Sequence, residues 1–373
     1  MRKKRISAIA VAVVASLGVA ACGSSSSSSS SSSGGGAVSS SSSSSSGGSA
    51  SINGAGSTLA APIYEQWGST LSSQGLTLNF NGVGSGAGIA QLQAGTVDFA
   101  GSDPAMKPTE IAAAKGQVAQ FPVAFGAVTV SYNLSGVKTG LKLDGATIAN
   151  IYLGKIKTWN DAAIKALNPS ISLPSSSITI VHRSDASGTT KAFATFLSAY
   201  SPAWTAAAGQ PDKTVKWPTG TGAKGNAGVA AAIKQTAGSI GYVESAYALQ
   251  NSFTYASVKN KSGAYIAPTL AATSAAAVGI PIPAALTIST INSPNPAAYP
   301  IVSQTFVIVY KDMCKAGVSQ SAASGVKKFL TYGVGPQGQG EVSKLQYAPL
   351  PPTLVTKDTA QLGTLTCNGS PLS

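Results

Sequence analysis

Apolar positions recur along this chain in two rhythms. The runs "LTLNF" (76–80), "VAFGAVTVSY" (123–132), "SITIVH" (177–182), "SIGYVE" (239–244) and "TFVIVY" (305–310) are rich in β-branched and aromatic residues and are bounded by Gly, Pro or Ser, which predicts strands. Between them the spacing lengthens to that of helices. Ile63, Trp67 and Leu71 share one face at i, i+4, i+8, Phe193, Phe196, Leu197 and Tyr200 share another, and Val229 and Ile233 with neighbouring alanines form a third that ends by Gly238. Alternation of this kind predicts an α/β architecture. Residues 268–300, rich in Ala, Pro and Ser, have weak periodicity and read as an irregular surface excursion.

The first fifty residues break both rhythms. A basic start, Met1 to Arg5, precedes an apolar stretch from Ile6 to Leu17 that is too short to span a membrane comfortably. It ends in Val19-Ala20-Ala21-Cys22, which resembles the lipobox of bacterial lipoproteins and implies cleavage before Cys22 with lipid on its sulfur. Residues 22–51 are then almost entirely Ser and Gly, a flexible tether with a typical span of about 30 Å. The globular part is expected from Ile52 onward, roughly 320 residues, a length that suits two lobes.

Charge and cysteine content narrow the partners. The formal charge of +13 includes Arg2, Lys3, Lys4 and Arg5, so the chain after residue 21 carries 13 − 4 = +9. No basic run has interleaved aromatics, which argues against nucleic acid, whereas a positive field still draws small anions. No metal-ligand spacing and no Cys-x-x-Cys occurs. With Cys22 assigned to lipid, Cys314 and Cys367 remain, expected to pair in an exported protein or else to be two buried thiols.

Three segments repeat one grammar, a Gly-rich turn with a hydroxyl residue followed by a helix: "NGAGSTLAAP" (53–62), "NGVGSGAG" (81–88) and "RSDASGTTKAF" (183–193). A helix N-terminus offers unpaired N–H groups and the positive end of its dipole, and Ser and Thr add rotatable donors. Three such loops, one with an arginine, point to a shared tetrahedral anion. "GTGAKG" (220–225) fits G-x-G-x-x-G but follows no convincing strand; it reads as a turn, with Asn226 capping the helix after it. A fourth segment, "TVDFAGSDPAM" (96–106), adds Asp103. A carboxylate only accepts hydrogen bonds, so it suits an anion that keeps a proton and repels sulfate, which keeps none.

These segments carry a resemblance. "GAGSTLAAPIYEQW" (54–67), "GVGSGAGIAQLQAGTVDFAGSD" (82–103), "DGATIANIYLGKIKTWND" (144–161), "HRSDASGTTKAFATFL" (182–197), "VKWPTGTGAKGNAGVAAAIKQTAGSIGYVESAYA" (215–248) and "YPIVSQTFVIVYKD" (299–312) resemble, in order, the periplasmic phosphate-binding proteins of bacterial phosphate-specific ABC transport systems. The resemblance runs from Ile52 to about Leu350. It implies a class II solute-binding fold, with lobe 1 from 52–124 and 300–373, lobe 2 from 125–299, a two-strand hinge and a cleft between the lobes. It implies phosphate held by Thr58, Leu59, Ser85, Asp103, Arg183, Ser187, Gly188 and Thr189, with Asp185 bracing the arginine. It further implies a monomer without cofactor or catalysis, lipid-anchored on the outer face of the cytoplasmic membrane, that delivers phosphate to permease subunits. Leu59-Ala60 stands where the family usually has Phe-Pro, and Ala186 where it has Gly, which leaves the shape of the 183–189 loop open.

Two other readings share these letters. A different oxyanion is one; arsenate, which also keeps a proton, meets the Asp103 rule. A secreted phosphoester hydrolase is the other, and it needs a base beside a nucleophile. His182 is the only histidine, and strand alternation sends it to the face opposite Arg183.

Overall fold

In the computed structural model the described residues are 50–372. The signal sequence, Cys22 and most of the tether fall outside them. Ala50 and Ser51, assigned above to the tether, already belong to the first strand, where they pair with Leu76 and Thr77. Backbone pairing is indifferent to the small side chains that made them look like linker.

One nine-stranded sheet organises the fold. Its strands in chain order are β1 (Ala50–Gly56), β2 (Leu76–Asn81), β3 (Phe99–Ser102), β4 (Val118–Asn133), β5 (Thr179–Arg183), β6 (Thr221–Ala223), β7 (Ser239–Glu244), β8 (Thr254–Tyr255) and β9 (Val302–Tyr310). Their spatial order is β2-β1-β3-β9-β4-β7-β5-β6, with β8 added beside β4. β1 is parallel to β2 and β3, and β5 is parallel to β6 and β7, while β4 and β9 run antiparallel to their neighbours. Each parallel step is bridged by a helix: α1 (Ala61–Ser72), α2 (Ser85–Ala94), α3 (Gly188–Tyr200) and α4 (Gly225–Gln235).

β4 belongs to both halves of the sheet. From Val118 to Ala127 it pairs with β9, and from Val128 to Asn133 with β7. Every residue of β7 and β9 is buried, as is nearly all of β4. Strands covered on both faces read as continuous apolar runs, which is why these three stood out in the sequence. β2, at the sheet edge, keeps the alternation of a strand with one wet face.

The helical faces pack as their spacing requires. Ile63, Trp67 and Leu71 of α1 are fully buried, and Tyr64 and Trp67 join Phe99 and Phe329 in an aromatic cluster. The other half has its own cluster of Tyr152, Phe193, Trp217 and Tyr242. The 268–300 excursion forms one short helix, Leu270–Ala275, and is otherwise irregular. Gln304 of β9 anchors it, accepting from the Ile288 N–H at 2.9 Å and donating to the Leu286 carbonyl at 2.9 Å.

The chain closes with α5 (Gln320–Val334), α6 (Pro336–Lys344) and α7 (Pro352–Leu362). Cys314 and Cys367, 53 positions apart, are disulfide-bonded around them. Loop-closure entropy for a ring of that size comes to about 4 kcal/mol, and native bridges are worth about 2–4. Cys314→Ser is therefore expected to lower the melting temperature in non-reducing buffer; an unchanged melt would show that the bridge contributes nothing. Among the described residues no helix is long and apolar enough to cross a membrane.

Candidate functional site

Four helix starts converge where the two halves of the sheet meet. β1 turns into α1 through Gly56, whose φ of +140° and whose contact with Gly101 exclude any side chain; an added Cβ would lie 2.0 Å from the Gly101 carbonyl oxygen. Past that turn, Ser57 Oγ accepts from the N–H groups of Leu59 and Ala60, both at 3.1 Å, and donates to Asp103 Oδ1.

Asp103 follows β3 and is buried. Its Oδ1 also accepts from Thr305 Oγ1 at 3.1 Å, and its N–H donates to Ser85 Oγ at 3.3 Å. Both side-chain hydrogen bonds therefore fall on Oδ1. Oδ2 faces Gly188 instead, so closely that a Cβ on Gly188 would lie 2.4 Å from it. Burial pushes the Asp103 carboxyl up to about 6, although the hydroxyls of Ser57 and Thr305, the Arg183 charge and Ser85 oppose the shift.

Arg183 ends β5 and is 2% exposed. Nε donates to Asp185 Oδ1 at 2.7 Å, Nη2 pairs with Asp185 Oδ2, and Nη1 reaches Thr189 Oγ1 at 3.4 Å. A guanidinium has five N–H donors, so two are left over inside the protein. Asp185 is braced in turn by the Gly225 N–H at 3.0 Å, the start of α4. Burial works to raise its pKa, but the bond to Arg183, the Arg183 charge and the Gly225 N–H outweigh that and hold the carboxyl below its ordinary value.

The 183–189 loop has a definite shape. Ser187 caps α3 by accepting from the Thr190 N–H at 3.1 Å, which leaves Gly188 and Thr189 as the first helical residues. Ala186 takes its place without positive φ, and its carbonyl accepts from the Gly86 N–H at 3.0 Å. This approach needs small residues opposite: a Cβ on Gly84 would meet Asp185 Oδ2 at 2.4 Å, and one on Gly86 would meet the Ala186 Cβ at 2.5 Å.

Thr58 and Leu59 close the remaining side. Thr58 Oγ1 accepts from Asn226 through N–H at 3.1 Å and through Nδ2 at 3.0 Å. Asn226 does not cap α4, which begins one residue earlier; it lies within the first turn, and its Nδ2 reaches Thr189 Oγ1 at 3.4 Å as well. The Leu59 N–H is directed to Ser57 Oγ, and its carbonyl accepts from Tyr347 Oη at 2.7 Å. Tyr347 Oη also lies 2.8 Å from Glu244 Oε2. Burial pushes the Glu244 carboxyl up to about 8, opposed by the hydrogen bonds it accepts from Ser245, Tyr347 and the Ala246 N–H.

His182 takes no part in this. Its ring stacks on Trp217 at 4.5 Å with an 11° interplanar angle, and burial lowers its pKa against the opposing backbone hydrogen bonds at Arg183 and Gly220. Among the described residues no group of three His, Cys, Asp or Glu could hold a metal.

The loops that carry Thr58, Leu59, Ser85, Asp103, Arg183, Asp185, Ser187, Gly188 and Thr189 thus meet in one place, while Cys314 and Cys367 pair with each other and Cys22 lies outside the described residues. Reasoning from sequence missed Ser57, Thr305 and the bridging role of Asn226. Thr305 had a visible signal, a hydroxyl inside an otherwise apolar strand, and Ser57 had one in its position next to Thr58.

An α/β fold with two halves linked by a shared strand, and loops from both meeting on one small polar site, defines a solute-binding protein. A family model described as the PBP superfamily domain matches residues 41–337. A phosphate-binding protein PstS of Xylella fastidiosa is 39% identical over 311 residues, 82% of this chain and 83% of its own. The PstS of Pasteurella multocida is 39% identical over 315 residues, 83% of this chain and 89% of its own. A solved structure of a high affinity periplasmic phosphate-binding protein bound with phosphate superposes with a TM-score of 0.69 at 25% identity, covering 83% of this chain and 93% of that one. The chain belongs to the PstS family of phosphate-binding proteins within the PBP superfamily.

Proposed function

We propose that this protein captures inorganic phosphate as hydrogen phosphate and delivers it to the permease of an ABC importer, without catalysis, as a lipid-anchored monomer on the outer face of the cytoplasmic membrane. In this reading residues 52–124 and 300–373 form one lobe and 125–299 the other. Thr58, Leu59, Ser85, Asp103, Arg183, Ser187, Gly188 and Thr189 hold the anion and Asp185 positions Arg183. The PstS relatives support the substrate. Cys22 and the segments before and after it support the anchor.

One juxtaposition carries the reading. Among the described residues two N–H groups of Arg183 have no acceptor, and Asp103 Oδ2 accepts no hydrogen bond. Donors and a lone acceptor in one buried site match an oxyanion that has both bare oxygens and a P–OH. Sulfate offers no proton to Oδ2 and meets an uncompensated like charge.

Calorimetric titration tests this directly. Phosphate is expected to bind far more tightly than sulfate at pH 8, and equal affinities would overturn the reading. Asp103→Asn should weaken the discrimination, because an amide can donate to a bare oxygen. Acid should act in the same direction: with its pKa at about 6, Asp103 is charged at pH 8 and gains a proton as pH falls through 6, becoming a donor. Relative sulfate affinity should therefore rise between pH 7 and pH 5 by more than the conversion of hydrogen phosphate to dihydrogen phosphate accounts for, and Asp103→Asn should show only that ligand-protonation part.

A further inference from the structure

α1 begins differently from α3. Ser187 caps α3 with its own side chain, whereas Ala60 stands at the start of α1 and no side chain caps it. The turn that leads into α1 carries two carbonyls, those of Thr58 and Leu59, that lie before the first one used inside the helix, that of Ala60. Both are taken by tyrosines from far along the chain. Tyr247 Oη, on the short helix Ser245–Gln250, donates to the Thr58 carbonyl at 2.9 Å. Tyr347 Oη, just after α6, donates to the Leu59 carbonyl at 2.7 Å. Burial first, and Glu244 second, raise both phenols well above their ordinary value, so each keeps a proton to donate.

A peptide bond is planar and trans, so pinning its oxygen aims its N–H the opposite way. Fixing the Thr58 oxygen aims the Leu59 N–H, and fixing the Leu59 oxygen aims the Ala60 N–H. Both N–H groups reach Ser57 Oγ, each at 3.1 Å. A hydroxyl oxygen has two lone pairs and one hydrogen. With both lone pairs occupied, the hydrogen of Ser57 is left for Asp103 Oδ1. The two tyrosines thus act on the buried carboxylate through two peptides and one hydroxyl.

We propose that Tyr247 and Tyr347 are positioning residues for anion selectivity: they hold Ser57 as a donor to Asp103 Oδ1, which leaves Oδ2 to read the proton on the ligand. The inference rests on the phosphate-binding reading above and adds two residues to it. Burial raises the Asp103 pKa, and the Ser57 hydroxyl is the strongest group opposing that, ahead of Thr305 and Arg183. Losing its bond lets the carboxyl take a proton at higher pH, and a protonated carboxyl can donate to sulfate. The other charged or titratable groups facing Asp103 among the described residues are Arg183, Tyr64 and these two tyrosines, and all three tyrosines stay protonated.

Competition of unlabelled sulfate against radiolabelled phosphate at pH 8, on the whole chain, gives the ratio of the two affinities. Tyr247→Phe removes one hydroxyl and keeps the ring. It is expected to shift that ratio toward sulfate about three- to ten-fold, the effect of losing roughly one hydrogen bond. The pH at which sulfate gains should move up as well, beyond what protonation of the ligand accounts for. Tyr347→Phe should act the same way, although its hydroxyl also lies 2.8 Å from Glu244 Oε2, which makes Tyr247 the cleaner variant. In a Ser57→Ala chain the ratio should shift by itself, and Tyr247→Phe should add nothing, because its route to Asp103 is gone. An unchanged ratio in Tyr247→Phe, with both anions weakened in proportion or not at all, would overturn the inference, and so would a full added effect in Ser57→Ala. No phosphate uptake by the unmodified chain would instead overturn the functional reading, and this inference with it.

Discussion

Replacing Arg183 with alanine is expected to raise the dissociation constant for phosphate by a hundredfold or more, measured by calorimetry. The guanidinium is buried and bridges Asp185 and Thr189 while two donors remain for a ligand. Its removal deletes those donors and leaves the half-buried Asp185 with the Gly225 N–H but without its cation. Truncating one member of a buried, hydrogen-bonded charge pair costs about 2–5 kcal/mol, and about 1.4 kcal/mol is tenfold in affinity. Arg183→Lys should recover little, since an ammonium cannot hold Asp185 with two parallel bonds and serve an anion as well. A variant that melts normally and still binds phosphate within a few-fold of the unmodified protein would remove Arg183 from the site.

The second large effect is steric. A methyl on Gly188 would sit 2.4 Å from Asp103 Oδ2 and 2.5 Å from Asp103 Cβ. The start of α3 is pinned by the Ser187 cap and the bond from the Ser187 N–H to the Lys213 carbonyl, so the carboxylate has to move. Overpacking of this kind costs about 1–3 kcal/mol, and here it displaces the group that reads the proton on the ligand. Gly188→Ala should therefore lose at least tenfold in phosphate affinity and part of its discrimination against sulfate. In an Asp103→Gly background the same change should cost much less, because both the Cβ and the carboxylate it would meet are gone. Equal losses in both backgrounds would place the strain elsewhere.

β4, β7 and β9 were legible because burial on both faces writes them as unbroken apolar runs. β1 was not: "ASINGAG" has one β-branched residue, and it is a strand because β2 and β3 flank it. The loops were legible as anion-seeking motifs, since Gly, Ser and Thr before a helix carry a local meaning. Which hydroxyl meets Asp103 was not local at all. It depends on the positive φ of Gly56, which aims Ser57 at the carboxylate and leaves Thr58 to Asn226, 168 positions away. His182 was the clearest case of pattern over type: its place in the strand alternation sets it against Trp217, whatever its chemistry suggests.

The strand order has a consequence for how the chain is made. β3 and β4 are consecutive in sequence, yet β9 lies between them. Until Tyr310 has emerged, the first half of the sheet keeps a strand-wide gap with one edge of β3 and half of β4 unpaired, and Thr305 is missing from beside Asp103. Closing that gap joins segments nearly two hundred residues apart, the kind of non-local pairing that folds slowly and leaves strand edges open meanwhile. A chain with this topology therefore completes its central sheet, and the surroundings of Asp103, only once nearly all of it is available.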